Sequence, residues 1–255
     1  MIGLLHVEYT AGRFPRSAVF TPCEIKGGAF CDVCIRLPLS GPPRARDRRI
    51  RRAARKMAAY GIRRVVPPRE LFPYWETLLE YKISPISIRP LLRQMATPIA
   101  LFYLHETGRA RRSEAVVLQA QRMEMELFRV AEQLCRKVRN VAVQIPDSEA
   151  LEDRLQTEYG VPAMAGRTGF TKANLVLLFS VAEKGETVVP GQGALFYFGE
   201  GTPRLQTDRR VLQWAELAVR NGDAPSGPWD QTSLLAALWE MGHISARELE
   251  IIQLS

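Results

Sequence analysis

Apolar positions along this chain alternate between two rhythms, and the alternation is clearest in its middle. Residues 115–120 form a short apolar run that suits a buried parallel strand. Met123, Leu127, Val130, Ala131, Leu134 and Val138 then recur at helical spacing, so the next segment predicts a helix with one apolar face. Residues 141–145 read as a second strand. Asp147 or Ser148 can cap the helix that follows, Glu149, Glu152 and Asp153 put acids in its first turns, and Leu151, Leu155 and Tyr159 form its stripe. Gly160 sits where a helix end favours a left-handed residue. Residues 161–164 and 175–179 predict a third and a fourth strand. Strands and helices in this order predict a parallel sheet with right-handed crossovers.

The flanks carry the same two rhythms. Strand candidates at 4–10, 17–25 and 29–37 precede a helix in which Ile50, Ala53, Ala54, Met57 and Ala58 share a face. Gly27 and Gly28 suit a hairpin between the second and third strands. Gly61 ends the helix. A strand at 62–66 and a helix over 70–82 follow, with Leu71, Trp75, Leu78 and Leu79 expected inward. Pro90 fits the first turn of the next helix and Pro98 should kink it. Beyond a strand at 194–198, Val211, Leu212, Ala215, Ala218 and Val219 suggest a helix, and Leu234, Leu235, Leu238 and Trp239 another. Ser245 and Glu248 have capping-box spacing for a last one. The final pair could be a helix-turn-helix or a plain helical hairpin. The fold class expected is α/β, a Rossmann-like parallel sheet domain with a smaller N-terminal α/β domain and C-terminal helices. The expected boundaries are 1–106, 107–205 and 206–255.

The element order over roughly a quarter of the chain resembles the nucleotide-binding domain of the shikimate dehydrogenase and glutamyl-tRNA reductase group. That likeness implies a dinucleotide at the first strand–helix turn, where glycines let backbone approach the pyrophosphate. Here the turn reads Gln119, Ala120, Gln121, Arg122, Met123 and Glu124, with no glycine and with an acid where a phosphate would lie. The catalytic Lys and Asp motifs of that group are not recognisable, so its activity is not carried over. Asp147 follows the second strand, about where a ribose-binding acid sits, although a helix cap explains it too. If a small ligand binds, Gln119, Gln121, Arg122, Asp147 and Ser180 are the residues expected at it. No cofactor is predicted; NAD(P) would be the one the fold carries, against a loop that lacks its glycines. Catalytic residues stay unknown.

Charge changes the picture at one place. The chain of 255 residues carries a formal net charge of +8, and residues 44–64 hold ten Lys or Arg against the single acid Asp47. Arg48, Arg49, Arg52, Arg55 and Lys56 are candidates for contact with an anion or a nucleic acid; the bland alternative is a solvated helix face. No aromatic residue interleaves with them, which argues against a single-strand stacking groove. Cys31 and Cys34 form a C-x-x-C, but on a strand they point to opposite faces, and His6, His105 and His243 fall in different elements, so no metal site is predicted. No apolar run is long enough for a membrane span, and the first residues lack a secretory pattern, so a cytoplasmic location is expected. The partners are unknown: an anionic partner (nucleic acid or a phosphate ligand) fits the charge, no membrane is expected, and homo-oligomerisation is left open. The functional expectation is a non-catalytic binding or scaffold protein with a degraded dinucleotide site. The alternatives are an oxidoreductase-like enzyme with an altered loop and a nucleic-acid-binding protein using residues 44–64.

Overall fold

In the computed structural model, the described residues are 1–255 except 12–16, 41, 109–114, 147–148, 160–172, 183–185, 221, 223–224 and 226; for 69 and 149–152 only the backbone is described. The chain divides into two compact units, Met1–Ile88 with Leu217–Glu250, and Arg89–Glu216 with Ile251–Ser255. Among the described residues no helix is long and apolar enough to cross a membrane.

The first unit is built on a sheet of β1 (Ile2–Thr10), β2 (Ala18–Ile25), β3 (Gly28–Pro38), β4 (Arg64–Val66) and β5 (Ser84–Pro85), in the order β2-β3-β1-β4-β5. All pairings are parallel except β2 with β3, a hairpin whose two-residue loop is Lys26-Gly27. Both loop residues have positive φ, 48° and 79°, the geometry that matches the twist of the flanking strands. Helix α1 (Pro43–Ala59) crosses back from β3 to β4 and buries Ile50, Ala53, Ala54 and Met57. They pack with Leu5, Val33, Ile35 and Leu37, the alternate residues of β1 and β3 that face this side of the sheet. Gly61, at φ 76°, ends the helix. Its N–H bonds to the Ala58 carbonyl at 3.1 Å and that of Ile62 to the Met57 carbonyl at 2.9 Å, the pair of bonds of a Schellman cap.

The segment expected to be one helix over 70–82 is a two-turn 3-10 stretch, Arg69–Tyr74, followed by α2 (Trp75–Glu80). Pro73 lies inside it and cannot donate to a regular helix. Leu71 and Leu78 are fully buried, but Leu79, expected inward, is 50% exposed.

The second unit begins with α3 (Arg89–Gln94) and α4 (Ala96–Glu106). The kink expected from Pro98 is a break at Met95, because Pro98 has no N–H for the Gln94 carbonyl. Then come β6 (Ala115–Gln119), α5 (Met125–Cys135), β7 (Asn140–Gln144), α6 (Glu149–Tyr159), β8 (Leu175–Leu178), β9 (Thr187–Val188), β10 (Ala194–Tyr197), β11 (Leu205–Gln206) and β12 (Arg210–Leu212). The strand expected at 161–164 lies outside the described residues. The main sheet is β12-β10-β8-β6-β7, parallel between all neighbouring strands. Every residue of β6, β8 and β10 is buried, which explains why these strands read as continuous apolar runs. One face packs Val117, Val176, Leu178, Leu195 and Tyr197 under Ala173 and Val189. Arg209, only 4% exposed, ties the loops at this sheet's amino end: its guanidinium donates to the carbonyls of Ala173 at 2.7 Å, Pro190 at 3.1 Å and Gln192.

The C-terminal region departs most from expectation. The helix expected over 211–219 is instead β12 and β13 (Ala215–Val219). Ala215 and Leu217 are buried while Glu216 is exposed, the two-residue period of a strand, which the i, i+4 spacing of Val211, Ala215 and Val219 masks in the sequence. Helix α7 (Gln231–Glu240) does form, capped by Asp230, whose carboxylate accepts from the Ser233 N–H at 2.8 Å. It approaches the sheet face opposite α1, with Leu238 and Met241 beside Gly28. Ser245 and Glu248 do close a capping box, but on a single 3-10 turn that leads into β14 (Leu249–Leu254), the partner of β13. Among the described residues no second α-helix follows α7, so the helix-turn-helix reading fails.

Candidate functional site

In the order β12-β10-β8-β6-β7, the chain leaves β6 toward β7 on one side and returns to β8 on the other. The gap between the carboxyl ends of β6 and β8 is therefore the sheet's switch point, where open α/β sheets bind ligands. Gln119 closes β6 there. Its carbonyl accepts from the Phe179 N–H at 2.8 Å, and the Gln121 N–H donates to the Ser180 hydroxyl at 2.9 Å. Two candidates far apart in sequence are thus joined across the switch point. Gln119 is 7% exposed, and its Oε1 has no hydrogen-bond partner among the described residues. Arg122 is exposed beside them. Asp147 lies outside the described residues.

The strand ends carry a second set of residues, supplied by α3. Arg93 donates from Nη2 to the Phe179 carbonyl at 2.6 Å, just beyond β8, and from Nε to the Phe198 carbonyl at 3.5 Å, just beyond β10. Its Nη1 lies 2.9 Å from the Glu124 carboxylate and 3.6 Å from that of Glu126. Arg89, one turn earlier, donates to the carbonyls of Tyr197 at 3.2 Å and Gln213. Burial pushes the Arg89 guanidinium below its ordinary value, with Glu200 and Tyr197 opposing.

Glu124 is the N-cap residue of α5, with extended φ −126° and ψ 142°. A helix N-terminus favours a negative charge; here that charge belongs to the protein itself and is neutralised by Arg93. The expected reading of residues 119–124, an acid where a phosphate would lie, therefore has a counterpart that sequence inspection missed. Arg93 precedes Glu124 by 31 residues, and nothing local in the sequence links them.

In the first unit, Arg48, Arg52, Arg55 and Lys56 are exposed on α1 and Arg49 is half-buried. On the sheet face away from α1, the parallel register sets His6 opposite Cys34 and Glu8 opposite Arg36. His6 Nδ1 lies 3.0 Å from Asp32, Arg36 donates to Glu8 at 2.9 Å, and the Cys34 thiol lies 3.4 Å from the same carboxylate. Burial, then the Glu8 carboxylate, pushes the Cys34 thiol up to about 11, the opposite of what a nucleophile needs. Cys31 is buried on the α1 side. The two thiols of the C-x-x-C therefore lie on opposite faces. Among the described residues no cluster of His, Cys, Asp and Glu could hold a metal ion.

The chain matches no protein-family model and no curated protein. Solved structures similar to it include L-tryptophan dehydrogenase from Nostoc punctiforme, at 10% identity and TM-score 0.30 over 61% of this chain and 45% of that one. Another is hetero-hexameric glutamate dehydrogenase from Thermus thermophilus in its leucine-bound form, at 16% and 0.24 over 60% and 45%. A third is a protein from Trypanosoma cruzi assigned as an aspartate carbamoyltransferase, at 12% and 0.32 over 95% and 80%. The chain thus spans less than half the length of either dehydrogenase. Likenesses this distant define no family; the α/β class rests on the parallel sheet and its flanking helices.

Proposed function

We propose that this chain is a non-catalytic α/β binding or scaffold protein whose dinucleotide crevice is closed by its own side chains. The observation that carries the reading is Arg93, which joins the carbonyl beyond β8 to the Glu124 carboxylate at the head of α5. A pyrophosphate at that helix head would meet Glu124 and would have to displace the Arg93 contacts. With no glycine in the turn, side chains also stand where backbone would approach the phosphates.

One observation favours the rival reading, an oxidoreductase-like enzyme with an altered loop: the Gln119 Oε1 at the switch point lacks a partner among the described residues. A thermal-unfolding panel with NAD(H), NADP(H), ATP and S-adenosylmethionine separates the two. A ligand present at about 100 times its dissociation constant adds about 2.7 kcal/mol, which raises Tm by roughly 5–10 °C for a chain of this size. The closed-crevice reading predicts no shift with any of the four. A shift with one dinucleotide would replace it by the enzyme reading.

A further inference from the structure

Helix α1 breaks two rules of helix design in the same direction. Its N-cap, Pro42, makes no side-chain cap bond, and its first turn contains no acid but does contain Arg44. Cations at a helix N-terminus oppose the macrodipole. Local rules are usually broken where a functional demand overrides them.

The cations are also arranged. At 100° per residue, Arg44, Arg48, Arg52, Arg55 and Lys56 fall within an arc of about 120°, spread over about 18 Å of axis. The buried residues Ile50, Ala53, Ala54 and Met57 lie on the opposite side. All five cations are exposed and none has an ion-pair or hydrogen-bond partner among the described residues. Neutralising acids exist nearby but stand at one margin: Asp47 and Glu80 lie 3.2 Å from Arg51, outside the stripe.

We infer that this face of α1 is a docking surface for the phosphate backbone of a nucleic-acid duplex. Duplex DNA carries a charge every 1.7 Å or so of its axis, so five cations along one line each find a phosphate. Arginine, four of the five, suits phosphate oxygens through its planar fork of donors. Insertion into a membrane requires a free apolar helix face, and that of α1 is the core of the first unit. Stacking on single strands requires aromatic rings interleaved with the cations, and the stripe from Arg44 to Lys56 contains none. Phosphate contacts position a protein on the duplex without reading its bases, so docking through this stripe is independent of sequence. This inference concerns the first unit and does not depend on whether the crevice of the second is closed.

The test is fluorescence anisotropy of the full chain with a mixed-sequence 20-base-pair duplex between 50 and 200 mM salt. Five phosphate contacts give a slope of log affinity against log salt near −4.5, roughly a 500-fold loss over that range. In the variant R48Q/R52Q/R55Q/K56Q the slope should flatten by about 3–4, with a comparison variant, K137Q/R139Q/R204Q/R210Q, close to the parent. Those four residues are exposed in the second unit, and they remove the same charge. Phosphatidylserine vesicles serve as a competing anionic surface. The proposal is overturned if the parent does not bind duplex at 50 mM salt, if both variants lose affinity equally, or if vesicles are bound and duplex is not. Should the fourfold stripe variant fail to fold, the single variants R48Q and R55Q keep the test: each should flatten the slope by about 0.9, and an unchanged slope in both overturns the proposal.

Discussion

Cys34 illustrates how a residue's neighbours, and not its motif, set its chemistry. Its thiol is held protonated by burial and by Glu8, so at pH 8 about 0.1% of it is thiolate, against about a tenth for a thiol at its ordinary value near 9. Alkylation by iodoacetamide at pH 8 should therefore be far slower than for a free thiol. Glu8→Gln should speed it, because the carboxylate raises the thiol's value. Equal rates with and without the carboxylate would contradict the assignment. Arg209 makes the complementary case. Replacing it by Met leaves three carbonyls and their loops without donors, and should cost about 3–5 kcal/mol in urea unfolding. A loss below about 1 kcal/mol would mean that water replaces the guanidinium.

The elements that could be read from sequence are those whose stability is local. The face of α1, the run of β6, the stripe of α5 and the capping box of Ser245 and Glu248 each follow from periodicity or from capping residues within a few positions. Residues 211–219 could not be read this way, since their strand state depends on β10 for β12 and on β14 for β13, partners outside any local window. Leu79 is a different case, with a local cause: Pro73 lies in the 3-10 stretch before α2, whose three-residue turn shifts the phase of the apolar stripe. Two substitutions test the local elements. Gly61→Ala should destabilise by about 1 kcal/mol, from its φ of 76° alone, as no atom lies within 4 Å of an added Cβ. Lys26→Asn should stabilise by about 0.5–1 kcal/mol, because asparagine accepts the positive φ of this hairpin loop more readily than lysine. Opposite signs in thermal unfolding would contradict the cap and turn geometry.

At the scale of the molecule, each unit is completed by chain that returns from far along the sequence. Residues 217–250 return to the first unit, where Glu240 on α7 pairs with Arg64 on β4. The candidate site has the same character. That Gln119, Gln121 and Ser180 meet was legible, because strand ends at a switch point converge in any doubly wound sheet. That Arg93 fills the same place was not, because its partners are 31, 86 and 105 residues away and arginine at 93 looks like any helix-surface cation. The closed crevice is the central claim, and a double-mutant cycle tests it most directly. Arg93→Met, Glu124→Gln and the double variant would be compared with the parent in urea unfolding. Both side chains are about one-fifth exposed, so a coupling of about 1–2 kcal/mol is expected, discounted for solvent screening. Additive losses, with coupling below about 0.3 kcal/mol, would show that the pair does not hold the crevice shut and would contradict the account.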